Sequence, residues 1–130
     1  MIVLDASTAV ELVLRTPAAE TIEARLFAEG ETLHAPHLLD VEVAHVVRRY
    51  FLTGELSDER GRAALTDLAE LPISRYPHDL FLPRIWELRR NVTAYDAAYV
   101  ALAEALAAPL LTRDGRLALS SGHAATIELV

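Results

Sequence analysis

Apolar residues along this 130-residue chain follow two spacings, and the two spacings predict short strands separated by helices. Short apolar runs of Ile, Val and Leu that are bounded by polar or turn-forming residues are typical of buried strands. The predicted strands are 2–4, 33–35, 73–76, 110–112 and 126–129, and Pro36 ends the second of them. Short apolar strands of this kind indicate a sheet that is covered on both faces.

Apolar residues spaced three and four positions apart predict helices between these strands. The predicted helices are 6–15, a segment from Thr16-Pro17 to near Gly30, 38–53, a segment that opens at 57–59, a segment from 79–83 to about 90–91, 93–107 and 116–119. Thr is a good N-cap and Pro suits the first helical position, so Thr16-Pro17 is the expected start of the second helix. Gly54 is the expected end of the third.

Strands that alternate with helices favour an α/β fold with a mainly parallel central sheet. The length suits a single domain over residues 1–130. No apolar run reaches the length of a membrane span, and the N-terminus lacks the basic segment of a signal peptide. In sheets of this class, ligand sites lie at the carboxyl ends of the strands.

The amino-acid composition limits which kinds of functional site the chain can contain. The chain has no Cys, which excludes disulfides, thiolate zinc sites and cysteine nucleophiles and agrees with a reducing, cytoplasmic location. The formal net charge of −7 argues against general nucleic-acid binding. All twelve basic residues are Arg, a side chain that suits bidentate phosphate contacts, although GC-rich coding also explains the missing Lys.

Four acidic residues lie at the edges of apolar segments: Asp5, Glu42, Asp96 and Asp114. Asp5 and Asp114 each follow a predicted strand, so both are expected at the same edge of the sheet. A carboxylate beside a core is unfavourable unless it is paired, protonated or bound to a cation. Four such groups indicate a hard divalent metal, and hence a metal-dependent phosphodiesterase.

Each acid also has a purely structural interpretation. Asp5 can cap the helix that follows it, Asp96 can form a capping box with Thr93, and Asp114 before Gly is a common turn signature. On the third helix, Glu42 and Asp40 fall on opposite flanks of the apolar stripe, and the helical spacing does not decide which of the two faces the site.

Four segments together resemble a known family. They are 2–7 (IVLDAS), 36–44 (PHLLDVEVA), 93–103 (TAYDAAYVALA) and 110–117 (LLTRDGRL). In this order they resemble PIN-domain ribonucleases, and specifically VapC-type toxins of bacterial toxin–antitoxin pairs. The resemblance implies a three-layer α/β/α sandwich and an endoribonuclease that depends on Mg²⁺ or Mn²⁺.

The resemblance also implies site residues and partners. It selects Glu42 rather than Asp40, assigns the metal cluster to Asp5, Glu42, Asp96 and Asp114, and adds hydroxyls from Ser7 and Thr112. It implies an RNA substrate, a VapB-like antitoxin and a homodimer. Many relatives have Asn where this chain has His45, and some have a further acid after Asp114, so the number of metal ions stays open.

Further expectations concern the substrate and the rival functions. Arg49, Arg113 and Arg116 lie near the acids in sequence or on the same helix flank and are candidates for contacts to the RNA backbone. The rivals are a phosphatase with Asp5 as nucleophile, in which Ser7 stands where a second Asp is usual, and a non-catalytic binding module. Stabilisation by metal distinguishes the module from the enzyme.

Overall fold

A computed structural model describes all 130 residues and contains one five-stranded sheet in which every pair of neighbouring strands is parallel. The strands are β1 (Ile2–Leu4), β2 (Leu33–Pro36), β3 (Ile73–Tyr76), β4 (Leu110–Thr112) and β5 (Ile127–Leu129). Their order across the sheet is β3-β2-β1-β4-β5. The interior strands β1 and β4 are buried along their whole length, as their mainly apolar sequences predict.

Seven helices connect the strands. They are α1 (Ala6–Val13), α2 (Ala19–Leu26), α3 (Leu38–Leu52), α4 (Asp58–Glu70), α5 (Leu82–Glu87), α6 (Ala94–Leu106) and α7 (Gly115–Ala118). One turn of 3-10 helix, Asp79–Phe81, precedes α5. None of these helices is both long enough and apolar enough to cross a bilayer.

The helices form two layers, one on each face of the sheet. The chain moves from β1 to β2 to β3 in one direction and then returns across the sheet to β4 and β5 in the other. Right-handed crossovers therefore place α1–α4 on one face and α5–α7 on the opposite face. Contacts of α1 with α2, α3 and α4, and of α5 with α6, agree with this arrangement. The predicted three-layer α/β/α fold is confirmed.

Several predicted helix boundaries were wrong. The second helix begins at Ala19 rather than at Pro17, and its N-cap Ala18 makes no side-chain cap. The Thr16 hydroxyl instead donates a hydrogen bond to the Glu11 side chain. The chain turns sharply after α1 because Arg15 adopts a left-handed conformation, with φ of 53°. The same helix ends at Leu26 rather than near Gly30.

The fifth helix is also shorter than predicted. It ends at Glu87, and the chain then closes with bonds from the amides of Asn91 and Val92 to the carbonyl of Leu88. Leu88, in this turn, is buried and packs against the core. The turn therefore anchors the segment in place of a further helical turn. The remaining boundaries lie within one or two residues of the prediction.

The order in which strands are added to the sheet reverses between β1 and β4, which makes the carboxyl ends of these two strands the topological switch point. Leu4 lies beside Leu111 in the register, so the next residues, Asp5 and Thr112, emerge together. The amide of Asp5 donates to the carbonyl of Leu111 at 3.2 Å. The fold therefore brings the first predicted site residue to the place where α/β sheets bind ligands.

Candidate active site

Asp5 lies at the end of β1 and is 5% exposed. It is the N-cap of α1, and its Oδ1 accepts hydrogen bonds from the Thr8 amide at 3.0 Å, the Thr8 hydroxyl at 3.2 Å and the Ser7 hydroxyl at 2.6 Å. Its Oδ2 accepts from the Thr112 hydroxyl at 2.5 Å. The capping interpretation is thus correct, and it fixes the carboxylate at the switch point rather than turning it away.

The hydroxyls of Ser7 and Thr112 connect the ends of β1 and β4. Their oxygens are 3.4 Å apart, and each also accepts a backbone amide: Ser7 from Arg113 at 2.9 Å and Thr112 from Asp114 at 3.0 Å. Both side chains therefore lie beside Asp5, where the family resemblance placed them. Because the same bonds hold the backbone at 113–114, they also set the position of Asp114.

Glu42 lies in the first half of α3 and is half-buried. Its Oε1 accepts a hydrogen bond from the Tyr99 hydroxyl at 2.7 Å. Burial raises the pKa of the Glu42 carboxyl, and the negative charges of Asp96 and Asp5 raise it further, while the bond from Tyr99 partly opposes the shift. The pKa of Tyr99 is raised far above its usual range, first by burial and then by Glu42, so this hydroxyl keeps its proton and donates.

Asp40, the competing acid, faces elsewhere. It forms a bidentate pair with Arg75 on β3, with distances of 2.7 Å from Nε and 2.9 Å from Nη2. The two flanks of α3 therefore have different partners: Asp40 contacts the β3 side and Glu42 contacts α6. This geometry agrees with the choice of Glu42 that the family resemblance made.

Asp96 lies in the first turn of α6, where Thr93 caps the helix by accepting the Asp96 amide at 3.1 Å. Its carboxyl is partly buried, and burial raises its pKa, followed by the negative charges of Asp114 and Asp5. Asp114 is the N-cap of α7, and its Oδ1 accepts the Arg116 amide at 2.9 Å. These mutual effects place all four acids in one electrostatic cluster.

The donor set of this cluster fits a hard divalent cation. All four groups are carboxylates, and none of them forms an ion pair with any Arg or with the N-terminus. Glu42 Oε2 and Asp114 Oδ2 take no part in the hydrogen bonds described above. In the present side-chain conformations no three of these acidic groups are arranged closely enough to hold one metal ion.

The three predicted RNA-binding arginines occupy different surroundings. Arg49 is exposed, with its guanidinium carbon 5.7 Å from the centre of the Tyr50 ring. Arg113 donates to the carbonyl of Val130 at 2.6 Å and lies 3.7 Å from a Glu11 oxygen. Arg116 lines a cavity together with Asp96 and Asp114. For all three arginines, RNA contact stays a prediction.

Sequence reasoning missed two residues that orient the acids. Thr8 is fully buried and ties Asp5 to the carbonyl of Leu111 through its hydroxyl, at 3.2 Å and 3.0 Å. The sequence assigned no role to the hydroxyl of Tyr99, which donates to Glu42. Thr8 lies three residues after Asp5, which it contacts, so a polar atom at that spacing was the available signal for Thr8. Tyr99 bonds Glu42 on another helix, and the sequence offered no such signal for it.

Comparison with known proteins agrees with this geometry. The model of the PIN domain family matches residues 2–120. Ribonuclease VapC12 of Mycobacterium tuberculosis is 50% identical over 130 residues, which cover 100% of this chain and 99% of that protein. Ribonuclease VapC1 of the same organism is 48% identical over 132 residues, which cover 98% of this chain and 96% of that protein.

This chain belongs to the PIN-domain family, in its VapC ribonuclease group. Among solved structures, VapBC2 from Rickettsia felis, bound to a DNA fragment from their promoter, superposes with a TM-score of 0.69 at 16% identity and covers 99% of this chain and 98% of the other. At that identity the likeness concerns the PIN fold alone. Like other VapC ribonucleases, the chain is a hydrolase, and PIN-domain ribonucleases are in general dependent on divalent metal.

Proposed function

We propose that this VapC ribonuclease hydrolyses RNA phosphodiesters as the toxin of a toxin–antitoxin pair, with Asp5, Glu42, Asp96 and Asp114 holding Mg²⁺ or Mn²⁺. The observation that supports the proposal most strongly is that the fold brings four carboxylates together and none of them forms an ion pair with an Arg or with the N-terminus. Burial together with neighbouring carboxylates raises the pKa values of Glu42 and Asp96, and no guanidinium of the chain compensates the charge. A divalent cation relieves this repulsion, because it adds opposite charge among the carboxylates.

The residues of the chain have distinct tasks in this proposal. Asp5 is held rigidly by hydrogen bonds to both oxygens, which makes it an orienting anchor and a poor nucleophile. Tyr99 donates to Oε1 of Glu42 and so fixes the position of this carboxylate, which would be one of the groups that hold the cation. A bound divalent cation supplies Lewis acidity, which strengthens water as a nucleophile and offsets charge on the phosphate oxygens. The chain has no Cys and offers no His candidate for a nucleophile, so in this proposal water is the attacking group.

The roles of the acids are tested by paired isosteric variants. In an RNA-cleavage assay with Mn²⁺, Glu42→Gln is expected to lose more than about 100-fold in activity, because it removes a charged ligand. Asp40→Asn, the matched control on the same helix, is expected to keep activity and lose roughly 1 kcal/mol of stability with its Arg75 pair. Equal loss of activity in both folded variants would contradict the assignment.

We propose a VapB-like antitoxin as the partner, by relation to the VapC group. The acidic cluster suits insertion of an antitoxin Arg, since guanidinium forms bidentate pairs with carboxylates. Metal and antitoxin then compete for the same oxygens, so adding Mn²⁺ to the complex is expected to weaken inhibition. An antitoxin that binds the Asp5→Asn, Asp96→Asn double variant as tightly as wild type, and ignores Mn²⁺, would show that inhibition occurs away from the cluster.

The homodimer and the cytoplasmic location belong to the same proposal. Leu80, Leu82 and Trp86 are 75%, 57% and 67% exposed on one segment, and they offer an apolar face for self-association. Light scattering of the purified chain is expected to give twice the mass of 14.3 kDa. A monomeric mass for wild type at micromolar concentration would refute the dimer without affecting the nuclease assignment.

A further inference from the structure

A cavity of about 500 Å³ opens directly beside two of the site acids. Asp96 and Asp114 line one part of it. The rest is lined by the turn after α5 and the start of α7, with Arg89, Arg90, Asn91, Thr93 and Arg116. Three arginines therefore line the same cavity as two of the acidic residues proposed to hold the metal.

Two of these three arginines are unengaged. Several other arginines of the chain form structural pairs, as in the Arg75–Asp40 pair and the bidentate Arg84–Glu104 pair. Arg89 lies over the ring of Trp86, 4.5 Å from its centre, and donates to the Trp86 carbonyl at 2.8 Å. The side chains of Arg90 and Arg116 are exposed and make neither an ion pair nor a hydrogen bond within the chain.

The backbone around both residues is firmly held, so their positions are set. The Arg116 amide donates to Asp114 Oδ1 at 2.9 Å, which ties the start of α7 to a site acid. Next to Arg90, the Asn91 amide donates to the carbonyl of Leu88 at 2.9 Å, and the Asn91 side chain packs against the turn at Gly122. Exposed guanidinium groups on a well-positioned backbone are suited to bind an anion.

RNA needs such a contact here, because a chain with net charge −7 and four clustered acids otherwise repels it. Arginine binds phosphate in bidentate fashion, and phosphate contacts position a nucleic acid relative to a site. We propose that Arg90 and Arg116 form a phosphate-binding subsite that holds the RNA backbone at the linkage adjacent to the one being cleaved. The adjacency rests on the function proposed above, whereas the binding itself requires no metal.

The test uses a short fluorescein-labelled single-stranded RNA of mixed sequence, with anisotropy measured in EDTA at several NaCl concentrations. Each phosphate contact on a single strand contributes about −0.7 to the slope of log Kobs against log salt. Arg90→Ala and Arg116→Ala are each expected to reduce the magnitude of that slope by about 0.7 and to weaken low-salt binding roughly fivefold to tenfold. Arg90→Lys is expected to keep the slope, because it keeps the charge.

Arg48→Ala is the matched control: Arg48 is also exposed and unpaired, but it lies on α3 and outside the cavity. Its slope and affinity are expected to equal those of wild type. If the cavity variants lose no more RNA affinity than Arg48→Ala, the subsite is refuted, and if they lose antitoxin binding instead, the cavity is a protein contact. Since the assay contains no metal, failure of Mn²⁺-dependent cleavage would refute the proposed function and leave this result unaffected.

Discussion

At the scale of single residues, the four acids are held in different ways. Asp5 accepts hydrogen bonds on both oxygens, and Asp114 accepts one from the Arg116 amide. Glu42 and Asp96, by contrast, are partly buried next to other carboxylates, and their pKa values are raised. The repulsion and burial of these two charges therefore lower the stability of the folded protein, and the size of this effect depends on pH.

The pH dependence of the stability of the metal-free protein is expected to show how much the charge of Asp96 destabilises the fold. The ordinary pKa of this carboxyl is 3.8, and burial raises it in the folded state. Its contribution to stability is therefore fully present below the unfolded pKa and is lost as the pH rises through the folded-state pKa. Asp96→Asn does not lose this stability. At neutral pH the free energy of unfolding of the variant is therefore expected to equal that of wild type or to exceed it by up to about 1 kcal/mol.

Urea unfolding in EDTA at a series of pH values measures this difference. The free energy of unfolding of wild type minus that of Asp96→Asn is expected to fall as the pH rises from about 4 to about 8. Taking the difference removes titrating groups that do not interact with Asp96, such as His34, whose pKa is lowered by burial. The part of the Glu42 pKa shift that Asp96 causes stays in the difference and has the same sign. A difference that is constant with pH, or that grows in favour of wild type, would show that Asp96 bears no repulsion.

At the scale of elements, the site depends on a link between the carboxyl ends of β1 and β4. The Thr112 hydroxyl donates to Asp5 at 2.5 Å and accepts the Asp114 amide at 3.0 Å, so one atom joins two site acids. Thr112 is fully buried, which leaves water no route to replace these bonds. The position of Asp5 thus depends on a residue of the neighbouring strand.

Replacing that hydroxyl by a methyl group is expected to weaken the site more than the fold. Thr112→Val keeps the shape and costs about 1–3 kcal/mol of stability, because the Asp114 amide loses its acceptor. Mn²⁺ affinity is expected to fall 10- to 100-fold, roughly the effect of removing a residue that orients a ligand. Thr112→Ser restores the hydroxyl and is expected to recover affinity. Equal Mn²⁺ affinity in all three proteins would contradict the linking role.

Element order and strand positions were predictable from sequence, because each short apolar run is bounded by clear turn residues. The start of α2 was not, since Thr16-Pro17 is a good local helix signal that the left-handed Arg15 and the contact with Glu11 override. The same limit applies to the site. Asp5 follows its strand directly, whereas the bond from Tyr99 to Glu42 joins residues on different helices and depends on packing that helical spacing alone does not encode.

At the scale of the whole molecule, the parallel order β3-β2-β1-β4-β5 gathers the site from distant parts of the chain. The switch point between β1 and β4 supplies Asp5 and Asp114, while α3 and α6 each supply one acid. No single segment could bind a metal. The proposed site therefore exists only in the folded chain, and metal binding is expected to stabilise the native state by mass action.

Calorimetric titration of Mn²⁺ into the metal-free protein tests the central claim most directly. Wild type and Asp40→Asn, whose acid is paired with Arg75 away from the cluster, are expected to bind Mn²⁺ equally well. Asp5→Asn keeps the volume of the side chain but removes a ligand charge, and it is expected to bind at least 100-fold more weakly, roughly the loss that follows from disturbing a metal site. Mn²⁺ binding by folded Asp5→Asn with wild-type affinity would contradict the assignment of the metal to the four-carboxylate cluster.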